Sequence, residues 1–291
     1  MTKPRLIALL TIATIAAIFA AAGSVGMIRS GHRPIFALVI LAVFIIQWIG
    51  FTLAYWRRTE EFFDLLGAVT YLALTVALVI ITKPTNRGLL LAGLVSLWAA
   101  RLGSFLWRRV RHAGGDRRFD VIKHDALRFF ITWNLQALWI TITASAAWMA
   151  ITTTTAPPLG ALAIGGTALW LCGFSIEVIA DQQKSAFRAN PANANRPIMT
   201  GLWAYVRHPN YCGEILMWVA IALIALPALS GWQYLSLSSP VFVAVLLTKI
   251  SGIPLLEKAA QEKWGDDETW RRYRARTPAL IPRFGARKES Q

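Results

Sequence analysis

The residues best equipped for chemistry run from Glu177 to Glu214. They read E-V-I-A-D-Q-Q-K-S-A-F-R, then N-P-A-N-A-N-R-P, then T-G-L-W-A-Y-V-R-H-P-N-Y-C-G-E. Glu177, Asp181, Lys184 and Arg188 recur every three or four positions, so on one continuous helix they share a face. Such a face is either a solvated, salt-bridged helix end or the wall of a polar site. Glu177 lies among Ile176, Val178, Ile179 and Ala180, and a carboxylate in an apolar stretch is costly enough to be a functional candidate. Further on, Pro209 suits the first turn of a helix with His208 before it. A helix start offers N–H groups to an anion. Asn210 and Glu214 stand one turn apart on that helix. Glu214 is followed by Ile215, Leu216, Met217 and Trp218, so it is expected to be buried and to need partners. Arg207, Arg196 and a ligand amide are the donors at hand.

Two further clusters stand out. The C-terminal stretch carries Lys249, Glu257, Lys258, Trp264, Trp270, Tyr273 and Arg276, followed by T-P-A-L-I-P. Its basic and aromatic mixture suits a helix lying on anionic lipid, contact with a cofactor, or both. The other cluster is Glu60, Glu61 and Asp64 at the head of one apolar run, with Arg101 inside the next. Asp64 opens an uninterrupted apolar stretch. It is either an ion-pair partner of Arg101 or a desolvated acid able to donate a hydrogen bond to a ligand oxygen.

Apolar helices must position these groups. The 291 residues are 56% hydrophobic and only 15% charged, with a mean hydropathy of +0.49. Apolar runs near 5–28, 34–56, 62–82, 88–107, 126–151, 159–180, 209–229 and 234–253 are long enough to span a bilayer. The expected fold is therefore all-α, a polytopic membrane bundle of about eight helices, seven being possible, forming one domain over 1–291. The first run is read as a retained span rather than a cleaved signal.

Lys and Arg total 30 against 15 Asp and Glu, a net charge of +15. The excess lies in short segments. Arg108, Arg109, Arg111, Arg117, Arg118 and Lys123 fall in 108–125, and Lys184, Arg188, Arg196 and Arg207 in 181–208. The tail adds nine more, from Lys258 to Lys288. Segments 152–158 and 230–240 carry none. This alternation expects the basic segments and both termini in the cytoplasm. Charge confined to short inter-span loops argues against a nucleic-acid partner, and no obligate protein partner is evident. Two cysteines, Cys172 and Cys212, make neither a disulfide framework nor a metal spacing. There is no G-x-G-x-x-G, Walker or H-E-x-x-H motif, and no metal site is expected. His32, His112, His124 and His208 all lie near span ends, against a multi-haem bundle.

Four segments together resemble the steroid 5α-reductase C-terminal-like membrane reductases, especially their bacterial branch. These are L-W-A-A-R-L with the following R-R and G-D-R-R, the 177–188 motif, the 200–214 motif, and S-G-I-P-L-L-E-K with Y-R-A-R-T-P-A-L-I-P. The resemblance is densest over 96–285. The R-H-P-N-Y core alone is also similar to isoprenylcysteine carboxyl methyltransferases.

The resemblance implies an NADPH-dependent reduction of a carbon–carbon double bond conjugated to a carbonyl, in the bacterial inner membrane. It implies cofactor contacts at Asp181, Tyr205, Asn210, Glu214 and Tyr273, with Arg101 and the Arg108–Arg111 run, Arg109 included, as basic partners. Glu177, Lys184, Arg188, Asn195, Arg196, Arg207, His208 and Arg276 complete the candidate cofactor set. In the animal steroid enzymes a Gln-Glu pair and a Tyr hold the substrate carbonyl. By spacing, this chain has Asp64 at the Glu position and Trp98 near the Tyr position. Asp64 and Glu61 are the catalytic candidates, and Trp98 and Asp64 the substrate-binding ones. Helices over 34–125 would hold an apolar small molecule entering from the lipid bilayer, and 159–285 the cofactor. An S-adenosylmethionine-dependent lipid or isoprenylcysteine-type methyltransferase is the competing reading. A membrane scaffold or small transporter is a third, and it leaves the polar set at 177–214 unexplained.

Overall fold

The computed structural model describes residues 3–24, 29–30, 33–113, 119–153 and 156–282. His32, Arg117, Arg118, Thr154, Thr155, Arg283, Arg287, Lys288 and the side chain of His112 lie outside them. Among the described residues, eight segments are long and apolar enough to cross a membrane, and the protein is an integral membrane protein. They are α1 (Lys3–Gly23), α2 (Ile35–Arg57), α3 (Phe63–Thr82), α4 (Asn86–Ala113), α5 (Ala126–Thr152), α6 (Ala161–Ala189), α7 (Pro209–Ala225) and a composite eighth run, Gly231–Trp264. The eighth run joins a 3-10 stretch, Gly231–Ser238, to α8 (Ser239–Val245), a π turn, Leu246–Ile250, and α9 (Ile253–Trp264). The helix α10 (Glu268–Arg276) follows. A short antiparallel pair, Arg29–Ser30 with Arg33–Pro34, links α1 and α2. The chain forms two compact units, Met1–Ile164 with Ile221–Ser239, and Gly165–Ala220 with Pro240–Gln291.

The first unit is organised on α5. Of the eight spans it is the least apolar and the most deeply buried. A span hidden from lipid can carry small and polar residues, and helix association inside a bilayer depends on close packing and interhelical hydrogen bonds. Both devices are present. Gly50 packs against Leu66 and Trp133, and Gly67 against Gln136. Trp148 Nε1 donates to Thr75 Oγ1 at 2.9 Å, Gln47 Nε2 to Thr70 Oγ1 at 3.0 Å, and Ser239 Oγ to the Thr143 carbonyl at 2.7 Å. Asp125 caps α5 by accepting from the N–H groups of Leu127 and Arg128, and Arg5 pairs with it at 2.8 Å. Arg87, 2% exposed, donates to the carbonyls of Ile224, Pro157 and Pro158. It thereby joins the start of α4 to the end of α7.

In the second unit α6 does continue past Ala180, to Ala189. No breaker interrupts it until Asn190, which precedes Pro191 and is extended, as the residue before a proline prefers. The helices α6 and α7 cross where glycine meets glycine. A Cβ on Gly213 would lie 2.4 Å from the Gly173 carbonyl oxygen, and one on Gly173 2.7 Å from that of Gly213. Only a residue without a side chain permits that approach. The crossing brings the polar stretch of α6 beside the start of α7.

Candidate cofactor site

The polar motif of α6 is wired, residue by residue, to the segment leading into α7. Asn210 Nδ2 donates to Asp181 Oδ1 at 3.3 Å. Gln183 Oε1 accepts from the Leu202 N–H at 2.9 Å. Trp203 Nε1 donates to the Ala180 carbonyl at 3.1 Å, and Lys184 Nζ lies 5.0 Å from the centre of the Trp203 ring. Gly201 has φ +63° at this turn, a left-handed conformation that glycine takes without strain. Glu177 and Asp181 are buried, at 3% and 5% exposure.

The chain after α8 packs onto the same segment. Backbone N–H groups of Arg207 and His208 donate to the carbonyls of Pro278 and Ala279, and Tyr273 Oη donates to the Trp203 carbonyl at 2.6 Å. Glu257 on α9 is the hub. Its Oε1 accepts from Arg207 Nε at 2.9 Å and lies 3.0 Å from His208 Nε2, while Arg274 Nε is 3.3 Å from Oε2. Arg207 also donates to the carbonyls of Arg274 and Thr277. Burial lowers the His208 pKa below the usual histidine value, and the Glu257 carboxylate opposes that shift without cancelling it. Burial also pushes the Tyr273 phenol well above its ordinary value, so it stays a neutral donor.

Two expectations are corrected. Glu214 is half-buried rather than buried. Arg207 and Arg196 are not held ready for it, since Arg207 is bound to Glu257 and the tail while Arg196 is exposed.

A cavity of about 220 Å³ opens beside this network, lined by residues of α6, the 197–208 segment, α9 and α10. Of the candidate cofactor residues, Lys184, Arg188, Arg207, His208 and Tyr273 line it. Glu257, Trp264 and Trp270 of the C-terminal cluster line it too, and so do Ile198, Trp203 and Lys263, which the sequence did not single out. The helical period of α9 was the available signal, because Glu257, Ala260 and Trp264 fall on one face. Asn195 and Arg276 are exposed, and Tyr205 is 57% exposed.

The candidates of the first unit lie apart from that network in sequence. Asp64 pairs with Arg109 at 3.6 Å. Trp98, 2% exposed, packs edge-on against Tyr71 at 5.2 Å between ring centres. Glu61 is exposed. Its neighbour Glu60 is buried and bound to Lys123 at 2.9 Å, and that hydrogen bond raises the Lys123 pKa. Arg101 lies over the Phe105 ring at 5.2 Å.

A family model matches residues 50–277, most of the chain and every residue lining the cavity. The chain belongs to the DUF1295 family. That family carries the description "protein of unknown function" and falls in the steroid 5α-reductase-like group. Among individual proteins, the chain is 37% identical over 70 residues to the Delta(14)-sterol reductase LBR of Gallus gallus, covering 20% of this chain and 11% of that protein. The match therefore spans about a tenth of the relative's length. No solved structure matches the chain.

Proposed function

We propose that this DUF1295 protein is an NADPH-dependent membrane reductase of a carbon–carbon double bond conjugated to a carbonyl, acting on a lipid or steroid-like substrate. The observation that carries the reading is the set of groups around one cavity in the second unit. Aromatic walls from Trp203, Trp264, Trp270 and Tyr273 suit a planar base, and Lys184, Arg188 and Lys263 suit phosphates. Outside the cavity wall, the Asp181–Asn210 pair and Glu214 are further candidates, offering acceptors and donors for a carboxamide. The similarity to a sterol reductase supports a reductase acting on a steroid-like substrate.

The residues present fit the cofactor in one further respect. The Trp270 Nε1–H is buried and, among the described residues, has no acceptor, as expected of a donor kept for a ligand atom. When bound, the nicotinamide would supply the hydride. The protein's tasks are then to exclude water from the reacting carbonyl and to stabilise charge on its oxygen. A preorganised donor at that oxygen is worth roughly 3–4 kcal/mol of barrier. Asp64, which must be protonated to donate there, is proposed for that role, with Glu61 and Trp98 as further members of the 34–125 substrate region. The site faces the cytoplasm, and both termini lie on that side.

The test is deuteride transfer. Protein in lipid nanodiscs is given NADPH labelled at the transferable position with a panel of steroid and prenyl enones, and products are read by mass spectrometry. Label at the β-carbon of a reduced product supports the proposal. Methyl transfer from S-adenosylmethionine to lipids in the same preparation would overturn it.

A further inference from the structure

The first unit carries its own group of cations, where α2 ends and α5 begins. Three contacts set these two helices antiparallel and in register. Trp48 Nε1 donates to Asn134 Oδ1 at 3.1 Å, Phe51 and Phe130 meet at 5.1 Å between ring centres, and Arg58 donates to the Lys123 carbonyl at 3.3 Å. Arg128, in the first turn of α5, therefore stands about one helical turn along the axis from Arg57 and Arg58. The acids at this end are mostly engaged elsewhere. Asp125 holds Arg5 and caps α5, Glu60 holds Lys123 at 2.9 Å, and Asp120 lies 3.7 Å from the same lysine. Glu61 is the exposed acid that remains. Arg57, Arg58 and Arg128 are exposed and have no acidic partner among the described residues. Arg58 is also held in place. Its guanidinium lies 4.3 Å from the centre of the Tyr55 ring, and its backbone is left-handed, with φ +53°, a region uncommon for a residue with a side chain. Next to the cations the surface is apolar. Ile49, Leu53 and Trp56 recur at helical spacing on the open face of α2, at 57%, 46% and 78% exposure. Arg128 and Leu135 are both exposed and share a face of α5. Past Leu135 that helix is buried to its end, half-buried Trp139 excepted.

We infer that this end of α2 and α5 is a binding site for an acidic phospholipid, with Arg57, Arg58 and Arg128 on its headgroup phosphate and the α2 stripe along its acyl chains. The inference is independent of the reductase reading. The bias of Lys and Arg toward one side of a membrane puts cations at span ends. It does not require the acids beside them to be bound to other groups. Here that segregation leaves three positive charges at the depth of lipid phosphates, next to an exposed tryptophan of the kind that sits at the interface.

The test is native mass spectrometry of the full-length protein in neutral detergent, titrated with dioleoylphosphatidylglycerol or dioleoylphosphatidylcholine, with the melting temperature as a check on folding. A cation beside an anionic headgroup is worth about fivefold in binding, so the parent should prefer the acidic lipid by at least about tenfold. Arg57→Gln combined with Arg128→Gln leaves the contacts of Arg58 in place. This double variant should bring the preference near one and melt like the parent in phosphatidylcholine. Arg58→Gly suits the left-handed backbone, and it should lower the preference about fivefold without earlier melting. Lys83→Gly is the matched control, because Lys83 is an exposed cation in a left-handed cap at the end of α3. It should keep the parental preference. A parent without preference, a double variant with the parental one, or a loss in Lys83→Gly as large as in Arg58→Gly would overturn the assignment. Displacement of the lipid by an equal concentration of glycerol 1-phosphate would overturn it too, by making the ligand a soluble phosphate.

Discussion

At the scale of single residues, the strongest statements concern charges with committed partners. Glu257 is 14% exposed and binds Arg207, His208 and Arg274. Breaking a buried ion network by removing one member costs about 3–5 kcal/mol. Glu257→Gln should therefore lower the melting temperature and loosen the 265–282 segment to proteolysis. His208 gives a pH dependence. Burial holds its folded pKa below the ordinary value, so the unfolded chain takes up a proton near pH 6.5 that the folded protein refuses. Stability is full above that pH and declines as pH falls below it. His208→Gln should flatten the melting profile between about pH 7 and pH 5, whereas a parental protein that grows more stable in that range would refute the assignment. Asp64 pairs with Arg109. Arg109 is half exposed at 3.6 Å, and such pairs contribute at most about 1 kcal/mol. Asp64→Asn should melt close to the parent yet slow single-turnover oxidation of NADPH. Early melting with parental turnover would make Asp64 structural.

At the scale of elements, the glycine crossing of α6 and α7 is the feature that aligns the site. Gly213→Ala forces its Cβ to within 2.4 Å of a backbone oxygen. The helices must separate, and nucleotide binding should fall with stability. Gly165→Ala on the same α6 meets nothing within 4 Å and is the control. It should bind nucleotide like the parent. The spans themselves were legible because twenty-residue apolar runs have few alternatives. The extension of α6 was legible too, since Glu177, Asp181, Lys184 and Arg188 keep helical spacing across the expected membrane boundary. The crossing was not, because nothing in a linear sequence pairs Gly173 with Gly213. The partners of Glu214 were misjudged for a related reason. Arg207 is adjacent in sequence, yet Glu257, fifty residues on, reaches it after the chain turns back. The eighth run was read as a plain span, whereas its π turn and the bend at Ser251–Gly252 carry α9 onward to the cavity.

At the scale of the whole molecule, the basic excess has two uses. Part of it sits in exposed side chains such as Arg108 and Arg111, as the positive-inside bias requires. Part of it, at Lys184, Arg188 and Lys263, lines a cavity beside aromatic rings. That second arrangement is the one the proposed nucleotide-binding reading relies on, and a scaffold has no use for it. The most direct test is calorimetry of the detergent-solubilised parent with NADPH, NADH and S-adenosylmethionine in turn. The account predicts NADPH binding, tighter than NADH, and no heat with S-adenosylmethionine. S-adenosylmethionine binding with no response to either nicotinamide nucleotide would contradict it.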